Sequence, residues 1–137
     1  MDRTAEPSPG LKQNPSHRIT ITPLDGVVTV NFSSAVIASS KNAKVLKETG
    51  HPDVLYIPFE DIYFDFLRSS PTSTHCPYKG DASYWSVTAT GESEPDIMWA
   101  YRHPYEEVSS IRDHGAFYPD KVEIEVVKQS QTDRPVP

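Results

Sequence analysis

The densest set of reactive side chains in the sequence is Ser70-Pro71-Thr72-Ser73-Thr74-His75-Cys76-Pro77-Tyr78-Lys79-Gly80, which joins hydroxyls, an imidazole, a thiol, a phenol and an ammonium. The segment is expected to be a loop between a helix and a strand, stiffened by Pro71 and Pro77, with Gly80 free to take a positive φ. Cys76 has the chemistry of a nucleophile if His75 or Lys79 favours its thiolate. The competing reading is a small buried cysteine in a tight turn, with Tyr78 packed and Lys79 solvated. Lys79 with the hydroxyls of Thr72 and Thr74 could instead hold an anion. The spacing alone leaves these open.

Other reactive residues are less organised. His17, His51, His75, His103 and His114 form no paired ligand motif, and the single cysteine excludes a zinc site built from several thiolates. No metal and no cofactor are expected. Glu123 and Glu125 share a strand face and Asp61 and Asp65 a helix face, as solvent-facing carboxylates commonly do. Trp99, Tyr101, Tyr84 and Trp85 could line a ligand cage or fill a core. The phosphate loop, the dinucleotide glycine turn and the serine-hydrolase elbow are all missing from the sequence.

Composition narrows the class further. The 137 residues carry 19 acidic against 13 basic side chains, a net charge of −6, with no cluster of Lys or Arg. Nucleic acid is therefore not expected as a partner. No apolar run approaches the roughly 20 residues of a membrane span, so no membrane association is expected either. Met1 to Ser16 has no apolar stretch of the kind a signal peptide carries, and the expectation is a cytoplasmic protein. The sequence sets no oligomeric state.

The elements that must position these groups are mostly strands. Residues 1–16 and 128–137 are rich in proline and polar residues and are expected to be a disordered lead and a flexible tail. Between them, 17–127 is expected to form one domain. Ile19 and Ile21 alternate with threonines, and Val28, Val30 and Phe32 alternate across a Leu24-Asp25-Gly26 turn, predicting a hairpin. Further strands are expected at 35–39, 43–48, 54–57 and 82–90. In the last of these, Trp85, Val87 and Ala89 lie on one face. Ile97, Trp99 and Tyr101 are expected to share a face of the next strand. Val122, Ile124 and Val126 mark a final one. Two short helices are predicted, one opened by Pro58 with Phe59, Ile62, Tyr63 and Phe66 at helical spacing, the other opened by Pro104.

The run Thr74-His75-Cys76-Pro77-Tyr78-Lys79-Gly80-Asp81-Ala82-Ser83-Tyr84-Trp85 resembles the central signature of the domain-of-unknown-function 427 family. The resemblance continues through Trp99-Ala100-Tyr101, His103-Pro104 and Phe117-Tyr118-Pro119-Asp120-Lys121-Val122, with Leu46-Lys47-Glu48 and Tyr56-Ile57-Pro58 upstream. It covers roughly residues 17–127. It implies a mostly β, β-tent-like pair of antiparallel sheets leaning over a small pocket, here with two short helices. The zinc of many β-tent proteins, held by two Cys-x-x-Cys pairs, does not carry over to a chain with one cysteine. The family's nucleotidyltransferase-like label has no Gly-Ser entry or paired-aspartate motif behind it here. By analogy, Glu48, Tyr56, Cys76, Tyr78, Lys79, Trp99 and Tyr101 are candidates for a common site, with Thr74 and His75 beside them.

The expected function is binding of a small polar or anionic ligand. Lys79 would meet its charge, Tyr78 and Tyr101 would donate hydrogen bonds, and Trp99 would form an apolar wall. One alternative is an enzyme that uses Cys76 as nucleophile or Glu48 and Lys79 as acid and base. Another is a protein-interaction module that presents its aromatics to a partner.

Overall fold

The computed structural model of the chain describes residues 5–128. A short helix α1 (Pro9–Gln13) precedes ten strands: β1 (Ile19–Pro23), β2 (Gly26–Phe32), β3 (Ala35–Ser40), β4 (Lys44–Glu48), β5 (Val54–Pro58), β6 (Leu67–Cys76), β7 (Gly80–Ala89), β8 (Glu92–Tyr101), β9 (His114–Phe117) and β10 (Glu123–Lys128). They form a seven-stranded sheet in the order β1-β4-β5-β9-β8-β7-β6 and a three-stranded sheet in the order β10-β2-β3. Every pairing is antiparallel. The protein is thus mostly β, with two antiparallel sheets and only short helical pieces.

Successive residues of a strand point to opposite faces, and the long sheet buries both of its faces. On one face Ile57, Trp85, Val87, Met98, Ala100 and Phe117 meet Val28, Val30, Ile37 and Ala38 of the small sheet. On the other, Tyr56, Ala82, Tyr101 and Ala116 pack with Leu46 and with Val108 and Ile111 of a 3₁₀ turn, Glu106–Ile111. Asp96, at φ +49°, sits where the β7–β8 register shifts between Trp85 and Val87. Ile97 consequently packs with Met98 and Ala100, on the face opposite Trp99 and Tyr101, rather than beside those two residues.

Three further expectations are corrected. The alternating segments 19–23 and 26–32 do not form a hairpin: β1 pairs with β4, and β2 pairs with β3 and β10. Gly26, at φ +149°, carries the chain from one sheet to the other, and a Cβ there would run into the carbonyl of Val127. The region opened by Pro58 is two 3₁₀ turns, Phe59–Asp61 and Phe64–Phe66. Between them Ile62 bridges to Ala38, and Tyr63 N–H donates to the Ile37 carbonyl, so sheet pairing overrides the helical spacing. Residues 70–76, expected in a loop, belong to edge strand β6; its ladder is interrupted between Ser69 and Ser73, around Pro71.

The expected disordered lead is also corrected from Ala5 onward. The Ser8 side chain caps α1 and donates to the Pro77 carbonyl, while Ser8 N–H donates to Glu107. Gly10 N–H donates to the same Pro77 carbonyl at 2.9 Å, with Tyr78 so close that a side chain at Gly10 would collide with it. These partners lie far along the chain, and local composition gives no sign of them. Residues 1–4 and, of the expected tail, 129–137 lie outside the described residues.

Candidate functional site

The β6–β7 connection, Pro77-Tyr78-Lys79, is a tight turn closed by Lys79 N–H to the Cys76 carbonyl. Gly80, at φ +119°, lets the chain pass close to the His103 carbonyl. Lys79 is only 9% exposed. Its ammonium lies 2.6 Å from Oε1 of Glu48 at the end of β4. The β1–β4 register sets Ile19 opposite Glu48, which brings His17, just ahead of β1, to 2.8 Å from the second carboxylate oxygen. His17 in turn stacks on Tyr78, with ring centroids 3.9 Å apart. The N-terminal arm, the β4 end and the β6–β7 turn thus meet at one carboxylate.

Beside this ion pair lies a cleft of about 260 Å³ lined by Glu48, Lys79 and His51 and by the rings of Tyr56, Tyr84, Trp99, Tyr101 and Tyr118. Trp99 Nε1–H donates to Tyr56 Oη at 3.3 Å, and the indole packs against Tyr118 at 4.5 Å. Both contacts hold the indole in place. Thr74 and Tyr84 share a hydroxyl hydrogen bond of 2.9 Å at the rim.

The electrostatics follow from burial and partners. Burial acts to raise the Glu48 pKa, but hydrogen bonds from Lys79 and His17, with the charges of Lys79 and His51, outweigh it and hold the carboxyl below its ordinary range. Burial raises the pKa of Tyr56 and Tyr101 well above the usual phenol range. Tyr118 is pushed up to about 12 by burial, helped by a hydrogen bond with Tyr84. At neutral pH the cleft therefore presents an ionised Glu48 carboxylate beside Lys79, with the phenols of Tyr56, Tyr101 and Tyr118 keeping their protons.

Of the residues singled out in the sequence, Glu48, Lys79, Tyr56, Trp99 and Tyr101 meet in this cleft. Cys76 lies beside it, half-buried, with Sγ 3.8 Å from Lys79 Nζ. Thr74 reaches it only through Tyr84. Tyr78 does not line it, because its ring is held between His17 and the N-terminal arm. His75 points away, bonded to Asp81 at 2.7 Å and facing Tyr105, as strand alternation requires of the neighbour of Cys76. It is not placed to activate that thiol. Trp85 leaves the proposed aromatic cage for the opposite face, where it packs on Phe59 and Phe64. His17, His51 and Tyr118 were not expected at the site; they come from separate elements and share no spacing that would mark them. Among the described residues no group of three His, Cys, Asp or Glu side chains comes together as a metal site would need.

A mostly β chain with two antiparallel sheets and an aromatic cleft beside an ion pair is consistent with a β-tent-like sandwich. Residues 20–128 match the model of the family described as a domain of unknown function (DUF427), and the chain belongs to that family. No curated protein matches the sequence.

Proposed function

We propose that the protein binds a small polar molecule in the Glu48–Lys79 cleft. The observation that carries this is the position of the ion pair. A buried pair adds little stability over apolar side chains of the same shape, so its place in the wall of an aromatic cleft supports a role in recognition. The carboxylate accepts and the ammonium donates, which suits a ligand with a donor next to an acceptor, a primary carboxamide for example. The Lys79 charge is already met by Glu48, so an anion would have to displace that carboxylate; this favours a polar uncharged ligand over an anionic one. The rings of Tyr84, Trp99 and Tyr118 would hold its flat or apolar parts.

The 3.8 Å approach of Lys79 to Cys76 supports a second reading, an enzyme with a thiolate nucleophile. Less supports an interaction module, since Tyr63 is the only strongly exposed tyrosine, tryptophan or phenylalanine among the described residues. A free thiol fits the reducing cytoplasm, and among the described residues no helix is long and apolar enough to cross a membrane. With a net charge of −6, nucleic acid has no part in this proposal.

The test is an NMR screen of the full chain against small polar fragments. Binding is expected to move the Trp99 indole N–H and Lys79 amide signals, and Glu48→Gln should weaken it at least fivefold. Fragments that bind equally well to Glu48→Gln would overturn the role of the ion pair. Rapid iodoacetamide modification of Cys76 in the folded protein, with a midpoint well below the roughly 8.5 of a free thiol, would move the enzyme reading ahead.

A further inference from the structure

A second cavity, of about 350 Å³, lies between the two sheets and is lined by Val28, Val30, Leu55, Ile57, Phe117 and Ile124, among others. Its walls are almost wholly apolar. Among the described residues, the one charged residue that borders it, Asp53, is bonded outward to Lys47 at 2.7 Å. With so few polar partners water gains little there, and apolar cavities of roughly 150 Å³ already accept a benzene-sized molecule.

The position of this cavity gives it meaning. Pro52, Val54 and Trp99 line both it and the Glu48–Lys79 cleft. The backbone explains how the same residues border spaces on both faces of a sheet. The β5–β9 ladder has only two registered pairs, Ile57 with Gly115 and Pro58 with His114. N-terminal to Ile57, β5 leaves β9, and the long sheet opens beside Val54 and Leu55. Trp99, fixed by Tyr56 and Tyr118, stands at this opening.

We propose that the two cavities are the two ends of one site and that its ligand is an amphiphile. Its polar head meets Glu48 and Lys79, and a short aliphatic chain or single ring passes Trp99 into the space between the sheets. This rests on the cleft being a ligand site, and adds that the ligand must carry an apolar extension. Continuity with the polar cleft sets the occupant: a purely apolar molecule would leave the ion pair unused, and a purely polar one would leave the larger cavity empty.

The experiment is a methyl and amide NMR titration of the full chain with straight-chain primary amides from butanamide to heptanamide, with benzene as a probe of the cavity alone. Affinity is expected to rise at least tenfold along the amide series. Signals of Lys79 and of the Val54, Leu55 and Ile124 methyls should move together. Ile124→Trp, which fills the cavity from the small sheet, should abolish the dependence on chain length while short amides still move Lys79. Leu55→Phe, which fills it from the long sheet at a residue that does not line the cleft, should do the same and serves if the first variant does not fold. Shifts confined to the cleft, with no dependence on chain length, would overturn the amphiphile proposal and leave the polar cleft standing. Binding of benzene and of the amides that is unchanged by Glu48→Gln would overturn it differently, by leaving only an apolar site. Cavity methyls that shift with protein concentration alone would mean that a second copy covers the opening, and would also overturn it.

Discussion

The two faces of the long sheet are built from the same strands, residue by residue, yet they are filled differently. Under the small sheet, Trp85 packs edge-on against Phe59 and Phe64, with Val87, Met98 and Ala100 as neighbours and no charge among them. On the other face, the next residues along, Tyr84, Trp99 and Tyr101, surround an ion pair and leave a cleft. The first face has a covering sheet, which closes it around Trp85 and leaves only an apolar cavity beside Leu55 and Ile124. The second is covered only in part, by the Glu106–Ile111 turn and the N-terminal arm, and keeps polar groups where apolar ones would pack better. One face is packed almost wholly with apolar side chains, and the other adds an ion pair and phenols to its apolar core.

Replacing the two tryptophans should sharpen this contrast most. Trp85→Ala removes a core side chain and should cost about 3–5 kcal/mol in denaturant unfolding. Trp99→Phe gives up one indole hydrogen bond and should cost about 1 kcal/mol while abolishing the fragment binding of the wild type. Equal stability losses with binding retained in Trp99→Phe would break the distinction.

A smaller effect is expected at the ion pair. Lys79→Met leaves a buried carboxylate with His17 as its remaining contact and should lower stability by about 3 kcal/mol. Adding Glu48→Leu removes the stranded charge and should restore most of that loss. If the double variant is as unstable as the sum of its parts, the two side chains are not coupled and the buried pair does not act as one unit.

Much of the closed face was legible in the sequence. The alternation of Val28 and Val30, and of Trp85, Val87 and Ala89, marks buried strand faces, and all five are in the core. Tertiary competition limited the rest. Leu24-Asp25-Gly26 signals a turn, but whether the flanking strands pair or part into two sheets depends on β4 and β10, far along the chain. A strand rich in serine and threonine with a proline looks like a loop until β7 pairs with it. The cleft was legible only in pieces. Glu48, Lys79, Tyr56, Trp99 and Tyr101 stood out through the family resemblance, whereas His17 is brought in by the β1–β4 register and the docked arm. His75 and Cys76 are neighbours in sequence and face opposite ways, so their adjacency suggested a partnership that the strand forbids.

The central claim is that Glu48 is an ionised carboxylate held by Lys79 and His17 in the wall of the cleft. It is tested most directly by an NMR pH titration of the Glu48 side-chain carboxyl in the folded protein. A carboxyl whose pKa falls on folding adds stability above its unfolded value, and that stability is lost as pH drops through the folded value. The account predicts a Glu48 midpoint below 4.5, with the Lys79 amide and the Trp99 indole titrating in step. It also predicts that Glu48→Gln flattens the fall in stability over the same acid range. A midpoint at or above 4.5 with no response at Lys79 would contradict the account, because burial would then have outweighed the partners and the carboxylate would not be held by the ammonium.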